Sequence, residues 1–205
     1  ALTWITLFIT FDLVLFGAFT RLTDSGLGCP DWPGCYGHAS PLGAQTAIAI
    51  EQSQMPSGPV THTKAWIEMI HRYMAMAVGG LILTLATFAW VRRWRGDTTS
   101  GVVWPTVTLL WVCVQGAFGA LTVTMKLFPL IVTLHLMGGM VLLGLLTLQV
   151  QRQRLLSQRS QSVLLSPLLY GATLMGLVLL LVQVLLGGWV SSNYAVLACN
   201  TFPMC

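Results

Sequence analysis

Five apolar stretches, each long enough to cross a bilayer, constrain the fold of this chain more than any other feature. A spanning helix needs roughly 20 mostly apolar residues, and the 205 residues are 55% hydrophobic and only 8% charged. A β-barrel would instead alternate over segments of about 10 residues, so we expect an all-α, polytopic membrane protein. The predicted spans run approximately from Leu2 to Thr20, Ala65 to Val91, Val102 to Met125, Phe128 to Val150 and Val163 to Val190.

The arginines predict which loops share a side of the membrane. Six of them follow the second and fourth spans: Arg92, Arg93, Arg95, Arg152, Arg154 and Arg159. Basic loops mark the cytoplasmic or matrix side. The 22–64 loop, the Lys126-Leu127 turn and Cys205 are therefore expected on the outer face. The net charge of +4 largely reflects these arginines and requires no nucleic acid partner.

Four of the five cysteines form two pairs with one spacing, C-x-x-aromatic-Pro-x-C. Cys29 pairs with Cys35 in this pattern, and Cys199 pairs with Cys205. Because the outer compartment oxidises thiols, we expect two short-loop disulfides. Each is either a structural staple or, near a redox centre, a pair that shuttles electrons. Cys113 is alone in the third span and is expected to be an apolar filler.

The two cysteine loops belong to an internal repeat. Gly17 and Gly187 each lie 12 residues before the first cysteine of a pair, and Leu27 matches Leu197. Such a match predicts a parallel repeat. We expect residues 1–160 to form a four-helix bundle with the 22–64 outer loop, and residues 161–205 to start a second, repeated bundle. The chain is then a fragment, with three further helices and a second histidine pair expected outside it.

Two histidines lie just inside apolar spans, His71 in the second and His135 in the fourth. Imidazoles are costly inside a membrane and are functional by default. Each is followed by small residues one or two helical turns on, and these either leave a slot for a flat macrocycle or let helices pack closely. No C-x-x-C-H motif is present, so a non-covalent haem held by both histidines is the leading cofactor. The small residues are Ala75, Gly79, Gly138 and Gly139.

Glu68 lies three residues before His71, on the same helix face. It is expected either to act as a base beside the haem or to pair with Arg72 or Lys64 near the interface. Three basic residues near the outer face are expected to bind haem propionates or to snorkel: Arg21, Arg72 and Lys126.

Other polar residues receive structural expectations. Thr46–Met55 is expected to form a short helix on the membrane surface. His38 and His62 in the outer loop are expected to be solvated. Asp12, in the middle of the first span, is expected to hydrogen-bond a polar group such as Gln115.

Several stretches resemble the haem A synthase family, in family order and over nearly the whole chain. The longest is Gly17-Ala-Phe-Thr-Arg-Leu-Thr-Asp-Ser-Gly-Leu-Gly-Cys-Pro-Asp-Trp-Pro-Gly-Cys35, which is similar to the first outer loop of the family. The others are Glu68-Met-Ile-His-Arg72, Gln115-Gly-Ala-Phe-Gly-Ala-Leu-Thr-Val123, Thr133-Leu-His135 and Gly187-Gly-Trp-Val-Ser-Ser-Asn193.

The resemblance implies two repeated four-helix bundles, each with a histidine pair, that convert haem O to haem A by oxidising a porphyrin methyl group to a formyl group. It implies that Glu68 is the essential acid and that His71 and His135 ligate the iron of the substrate haem. It also makes Cys29 and Cys35 the redox-active pair. In the family the second bundle binds haem b, and this chain lacks the histidines of that bundle.

The same resemblance implies a location and partners. The location is the bacterial cytoplasmic membrane, with the mitochondrial inner membrane as alternative, and the cysteine loops lie on the outer face. The partners are haem O, the lipid bilayer and either haem O synthase or cytochrome oxidase assembly factors, and a homo-oligomer is left open.

Two other functions remain alternatives. A di-histidine b-type cytochrome subunit would carry electrons without modifying haem, and it gives Glu68 no role. A transporter or assembly subunit would use the histidines structurally and bind no haem. An absorbance spectrum separates this last class from the others, and mass analysis of the extracted porphyrin separates enzyme from cytochrome.

Overall fold

A computed structural model describes residues 1–97, 101–158, 166–195, 198 and 201. Within them the fold is all-helical, as expected, and five helices have the length and composition to cross a membrane. The helices are α1 (Leu2–Leu22), α2 (Gln45–Gln54), α3 (His62–Trp94), α4 (Val103–Thr124), α5 (Pro129–Gln158) and α6 (Pro167–Ser192). All of these except the short α2 are candidate membrane spans.

The five predicted spans are confirmed as helices, although their ends differ: α3 is longer at both ends, whereas α4 is one residue shorter at each. α3 begins three residues before the predicted start because the side chain of Thr61 caps it, accepting a hydrogen bond from the backbone N–H of Lys64. α6 begins at Pro167, after Ser166 accepts from the N–H of Leu169. The short loop helix is also confirmed as α2. Val163 and Arg159 lie outside the described residues.

Four of the long helices form a closed ring. α1 packs against α3, α3 against α4, α4 against α5, and α5 back against α1. Among the described residues α3 and α5 make no direct backbone contact, so they are diagonal partners across the bundle. The histidine-bearing helices therefore face each other through the interior.

The interior of the bundle combines an apolar layer with small polar residues. Val78 and Ile82 of α3 pack against Leu142 and Leu146 of α5. Hydrogen bonds then cross between helices, from Thr3 to Gln153 and from Gln149 to Thr108. Membrane helices commonly associate through such contacts, because lipid gives no hydrophobic drive between them.

The bundle has two distinct ends. At one end, which we call the loop end, the segment after α1 meets the α4–α5 turn where Gly26 approaches Leu127. Arg21 at the end of α1 also donates to the carbonyl of Ser191 in α6. At the opposite end, Arg152 lies over the ring of Trp104. The predicted outer loops thus share one end.

α6 packs beside α5 and runs in the same direction as α1. The contact is close because Gly188 has no side chain: a Cβ there would lie 2.9 Å from Leu136 Cδ2. The hydroxyls of Thr133 and Ser192 are 3.2 Å apart across the same interface. The shared direction agrees with the predicted repeat, although the second bundle itself stays a prediction. Leu197, Cys199 and Cys205 lie outside the described residues.

Adjacent glycines of α6 provide a matched test of this packing. Gly188→Val should lower the stability of the chain by about 1–3 kcal/mol, because the added carbons overpack against Leu136. Gly187→Val is the control, since a Cβ at Gly187 meets nothing within 4 Å. Thermal unfolding in detergent should give a lower midpoint for Gly188→Val alone, and equal midpoints would contradict the packing.

Candidate functional site

His71 is held against α1 by a glycine and an aromatic ring. A Cβ on Gly17 would lie 3.0 Å from Cε1 of His71, so a larger residue there would require the imidazole to shift by a few tenths of an ångström. One residue earlier, the ring of Phe16 stacks on the imidazole with centroids 6.4 Å apart and planes 10° apart. The orientation of the His71 side chain is therefore fixed by α1.

His135 has a corresponding seat on α4. A Cβ on Gly119 would lie 3.4 Å from Cε1 of His135. Each histidine of the diagonal helices thus lies next to a glycine on a neighbouring helix. Both imidazoles are half-buried.

The two imidazoles share an unusual hydrogen-bonding state. The Nδ1 atoms of His71 and His135 are buried, and neither has a hydrogen-bond partner among the described residues. They are also the only buried side-chain polar atoms in that part of the chain without one. Such groups are costly in an apolar interior, so they indicate a site that a ligand completes.

The space beside the histidines differs between the two helices. On α3, Ala75 is exposed and a Cβ on Gly79 would meet no atom within 4 Å. On α5, the side chain of Gln115 lies against Gly138, where a Cβ would meet its amide. The slot expected from small residues is therefore open on the α3 side and filled at Gly138. Gly139 is in ordinary contact with Val14.

Asp12 does not make the contact expected from the sequence. It lies half-buried on α1, and within the described ranges no hydrogen bond joins it to Gln115. The reason is geometric, because α1 and α4 are diagonal in the ring and the Gln115 amide turns toward α5 instead.

Glu68 is buried and directed toward the loop end. Its Oε1 accepts from Nη2 of Arg72, and its Oε2 accepts the backbone N–H of Cys29 at 2.8 Å. The pairing with Arg72 is one of the alternatives expected for this carboxylate. Lys64, the other candidate partner, instead lies 3.6 Å from Asp24 and donates to the carbonyl of Gly58.

The disulfide between Cys29 and Cys35 is formed, as the spacing predicted. Both cysteines are fully buried, packed with Ile48 of α2 and with Ala65 and Met69 of α3. The bond is thus part of the buried core of the outer loop, and the two roles expected for it, a structural staple or a redox-active pair, stay predictions. The second pair lies outside the described residues.

The disulfide loop lies directly on the backbone of α3. A Cβ on Gly28 would come within 2.5 Å of the carbonyl carbon of Lys64, so only glycine permits this approach. Directly after Cys35, Tyr36 and Gly37 take positive φ in a tight turn, and their N–H groups donate to the carboxylate of Asp31.

Within the described part of the chain, the remaining polar residues named from the sequence make no hydrogen bond or ion pair with the histidine pair, or are exposed. Arg21 donates to Tyr194 and Ser191, and Lys126 is exposed in the α4–α5 turn. His62 is half-buried at the start of α3 and His38 is exposed. Of the three basic residues expected at propionates, Arg21 and Arg72 are thus engaged with protein groups.

Sequence reasoning missed the two glycines that the histidines pack against. Gly17 and Gly119 were recognised only as parts of motifs, because which helix faces which is not written in a single sequence. The sequence did contain one signal, because each glycine and its histidine lie in the halves of their helices that are nearer the loop end. The partner of Cys29 N–H was likewise invisible, because Glu68 is 39 residues away.

The fold and site define a polytopic helical membrane protein with two imidazoles facing its interior and a disulfide-closed loop above them. Among the described residues no three His, Cys, Asp or Glu side chains converge as for a bare metal ion. The model of the cytochrome oxidase assembly protein family (COX15-CtaA) matches residues 1–205, and the chain belongs to that family.

Curated relatives share the sequence over most of this chain. A protein of Shewanella oneidensis named Heme A synthase is 42% identical over all of the chain and 61% of its own length. Proteins of the same name from Exiguobacterium sibiricum and Shouchella clausii are 28% and 26% identical, over 97% and 92% of the chain. The chain spans about three-fifths of the length of these relatives. No solved structure matches it significantly.

Two glycines just before Cys29 test how closely the disulfide loop is held to α3. Gly28→Ala should lift the loop, since its Cβ meets rigid backbone, and should speed reduction of the Cys29–Cys35 bond by about tenfold or more. Gly26→Ala is the control, because its Cβ meets only the flexible end of Leu127 at 3.1 Å. Timed thiol labelling after addition of a dithiol measures both, and equal rates would contradict the close approach.

Proposed function

We propose that this chain supplies the substrate-binding bundle of a haem A synthase. In this proposal His71 and His135 ligate the iron of haem O from opposite sides, and one porphyrin methyl group is oxidised to a formyl group. The observation that carries the proposal is the pair of buried, unpartnered Nδ1 atoms on diagonal helices. The name of the relatives, Heme A synthase, agrees with this reaction.

The donor set suits an iron already held in a macrocycle. Imidazole is a common axial ligand of haem iron, and a porphyrin supplies the other donors that a pair of histidines lacks. The two imidazoles would be positioned by their contacts with Gly17 and Gly119 on neighbouring helices. The open space beside Ala75 and Gly79 would leave room for one edge of the macrocycle.

The reaction requires a group that accepts protons near the haem edge. Converting a methyl to a formyl group with water as the oxygen source releases four electrons and four protons, and an external electron acceptor, reached through the haem, would take the electrons. Glu68 is three residues from His71 and is the acidic side chain buried at the loop end of α3. In the proposal it accepts protons, and Arg72 keeps it in position.

The relatives and the arginines support the proposed membrane setting. The relatives are bacterial, which favours the cytoplasmic membrane over the mitochondrial alternative, with the loop end outward. Haem b would belong to a second bundle outside this chain. Haem O synthase and oxidase assembly factors are the proposed protein partners.

Replacing either histidine tests the ligand pair. His71→Ala or His135→Ala should reduce haem bound to the purified protein by about tenfold or more, since each removes one axial ligand. His38→Ala and His62→Ala are matched controls, because both histidines lie outside the interior of the bundle. Haem absorbance per protein measures the effect. Full haem content in both interior variants would refute the ligand assignment.

The role of Glu68 is tested by a substitution that keeps its shape. Glu68→Gln retains an acceptor for the N–H of Cys29 but cannot accept a proton, so haem should still bind while haem A formation falls by about a hundredfold. Mass analysis of the extracted porphyrin is the measurement. Undiminished haem A formation would remove Glu68 from the reaction, whereas unmodified porphyrin from the unsubstituted, complete protein would favour the electron-carrying cytochrome.

A further inference from the structure

The disulfide closes a short ring of residues that offers its carbonyl groups to one arginine. Cys29 and Cys35 are joined, and the segment between them turns three carbonyl oxygens inward. Nη1 of Arg72 donates to the carbonyls of Asp31, Pro33 and Gly34, at 2.9 Å and 3.2 Å for the first two. All three acceptors lie inside the ring that the disulfide closes.

The same arginine also donates a hydrogen bond to Glu68, and Glu68 accepts one from the backbone of the ring. Nη2 of Arg72 donates to Oε1 of Glu68, and Oε2 of Glu68 accepts from the backbone N–H of Cys29. The hydrogen bonds therefore form a closed circuit from the ring through Arg72 and Glu68 back to the ring. Neither side chain can move without breaking a contact to the disulfide loop.

The circuit is largely shielded from water. The side chains of Arg72 and Glu68 are only 10% and 5% exposed, so both charges depend mainly on protein groups as partners. A buried ion pair is destabilised strongly when one partner is lost. The planar guanidinium, with five donors in a fixed fork, reaches the carbonyls and the carboxylate together, which a lysine ammonium cannot do.

We propose that Arg72 is a positioning residue that ties Glu68 to the Cys29–Cys35 ring, so that the closed disulfide fixes the carboxylate beside His71. This inference rests on the proposed function for the part that concerns reaction rate. It replaces the expectation that Arg72 binds a haem propionate, because Nη1 donates to the ring and Nη2 to Glu68. The disulfide then serves the reaction without exchanging electrons with the haem.

Opening the ring should release the carboxylate. When a dithiol reduces the bond, two cysteine thiols form and the dithiol becomes its own disulfide. The three carbonyls and the N–H of Cys29 are then no longer held in one short loop, because the cross-link that restricted that loop is gone. Arg72 and Glu68 lose their common frame, whereas the seats of the histidines on Gly17 and Gly119 are unaffected.

The test compares Arg72→Lys, the double variant Cys29→Ser/Cys35→Ser, and their combination in the complete protein. Each should lower kcat for haem A formation by about tenfold or more, with KM and the haem absorbance spectrum unchanged. The combination should be no slower than the slower parent, since both changes break one circuit. Losses that multiply would show separate roles and overturn the proposal.

Lys64→Gln is the matched control, on the same helix two turns before Arg72. Lys64 contacts Asp24 and Gly58, outside the ring, so its substitution should leave kcat unchanged. If the cysteine variant does not fold, mild reduction of the unsubstituted protein opens the ring instead. Activity should then fall and return on reoxidation, and activity that survives full reduction would overturn the proposal.

A second readout does not depend on activity. Arg72→Lys should speed dithiol reduction of the Cys29–Cys35 bond by about tenfold or more, while Lys64→Gln leaves the rate unchanged. If the unsubstituted protein forms no haem A, the proposed function fails. The rate of dithiol reduction alone then tests whether Arg72 holds the ring. A faster rate supports the tie between Arg72 and the ring, and an unchanged rate refutes it.

Discussion

A helix bundle in a bilayer has no water for its polar groups, so each must find a partner within the protein. The bundle obeys this constraint at nearly every point. Threonine hydroxyls of α1 bond back to carbonyls of their own helix, and Gln149 donates to Thr108 across the α4–α5 interface. Against this background the two unpartnered Nδ1 atoms of His71 and His135 stand out. They mark the interior position that the protein alone does not complete.

The loop end shows the same constraint met in a different way. Arg72 and Glu68 are charged and buried, and they are satisfied by each other and by backbone groups of the disulfide ring. A covalent cross-link thus stabilises a charged pair that would otherwise be costly. The result is a rigid cover of charge and backbone directly above the histidine pair, with Gly28 bringing it onto α3.

Much of this arrangement could be predicted from the sequence. The spans followed from hydropathy, the disulfide from cysteine spacing, and the ligand candidates from histidines in apolar stretches. The rest depended on which helix faces which. Gly17 supports His71 although the two are on different helices, and Gln115 fills the space at Gly138 that was expected to be open. The capture of Arg72 by three carbonyls requires the folded ring, which a linear pattern does not reveal.

The central claim is that His71 and His135 hold one haem iron between α3 and α5. Electron paramagnetic resonance of the haem-loaded 205-residue chain tests it most directly, because axial ligands set the spin state of ferric haem. Two imidazole ligands predict a low-spin signal that becomes high-spin when either histidine is replaced by alanine. A high-spin signal from the unsubstituted chain, or a low-spin signal that survives both substitutions, would contradict the account.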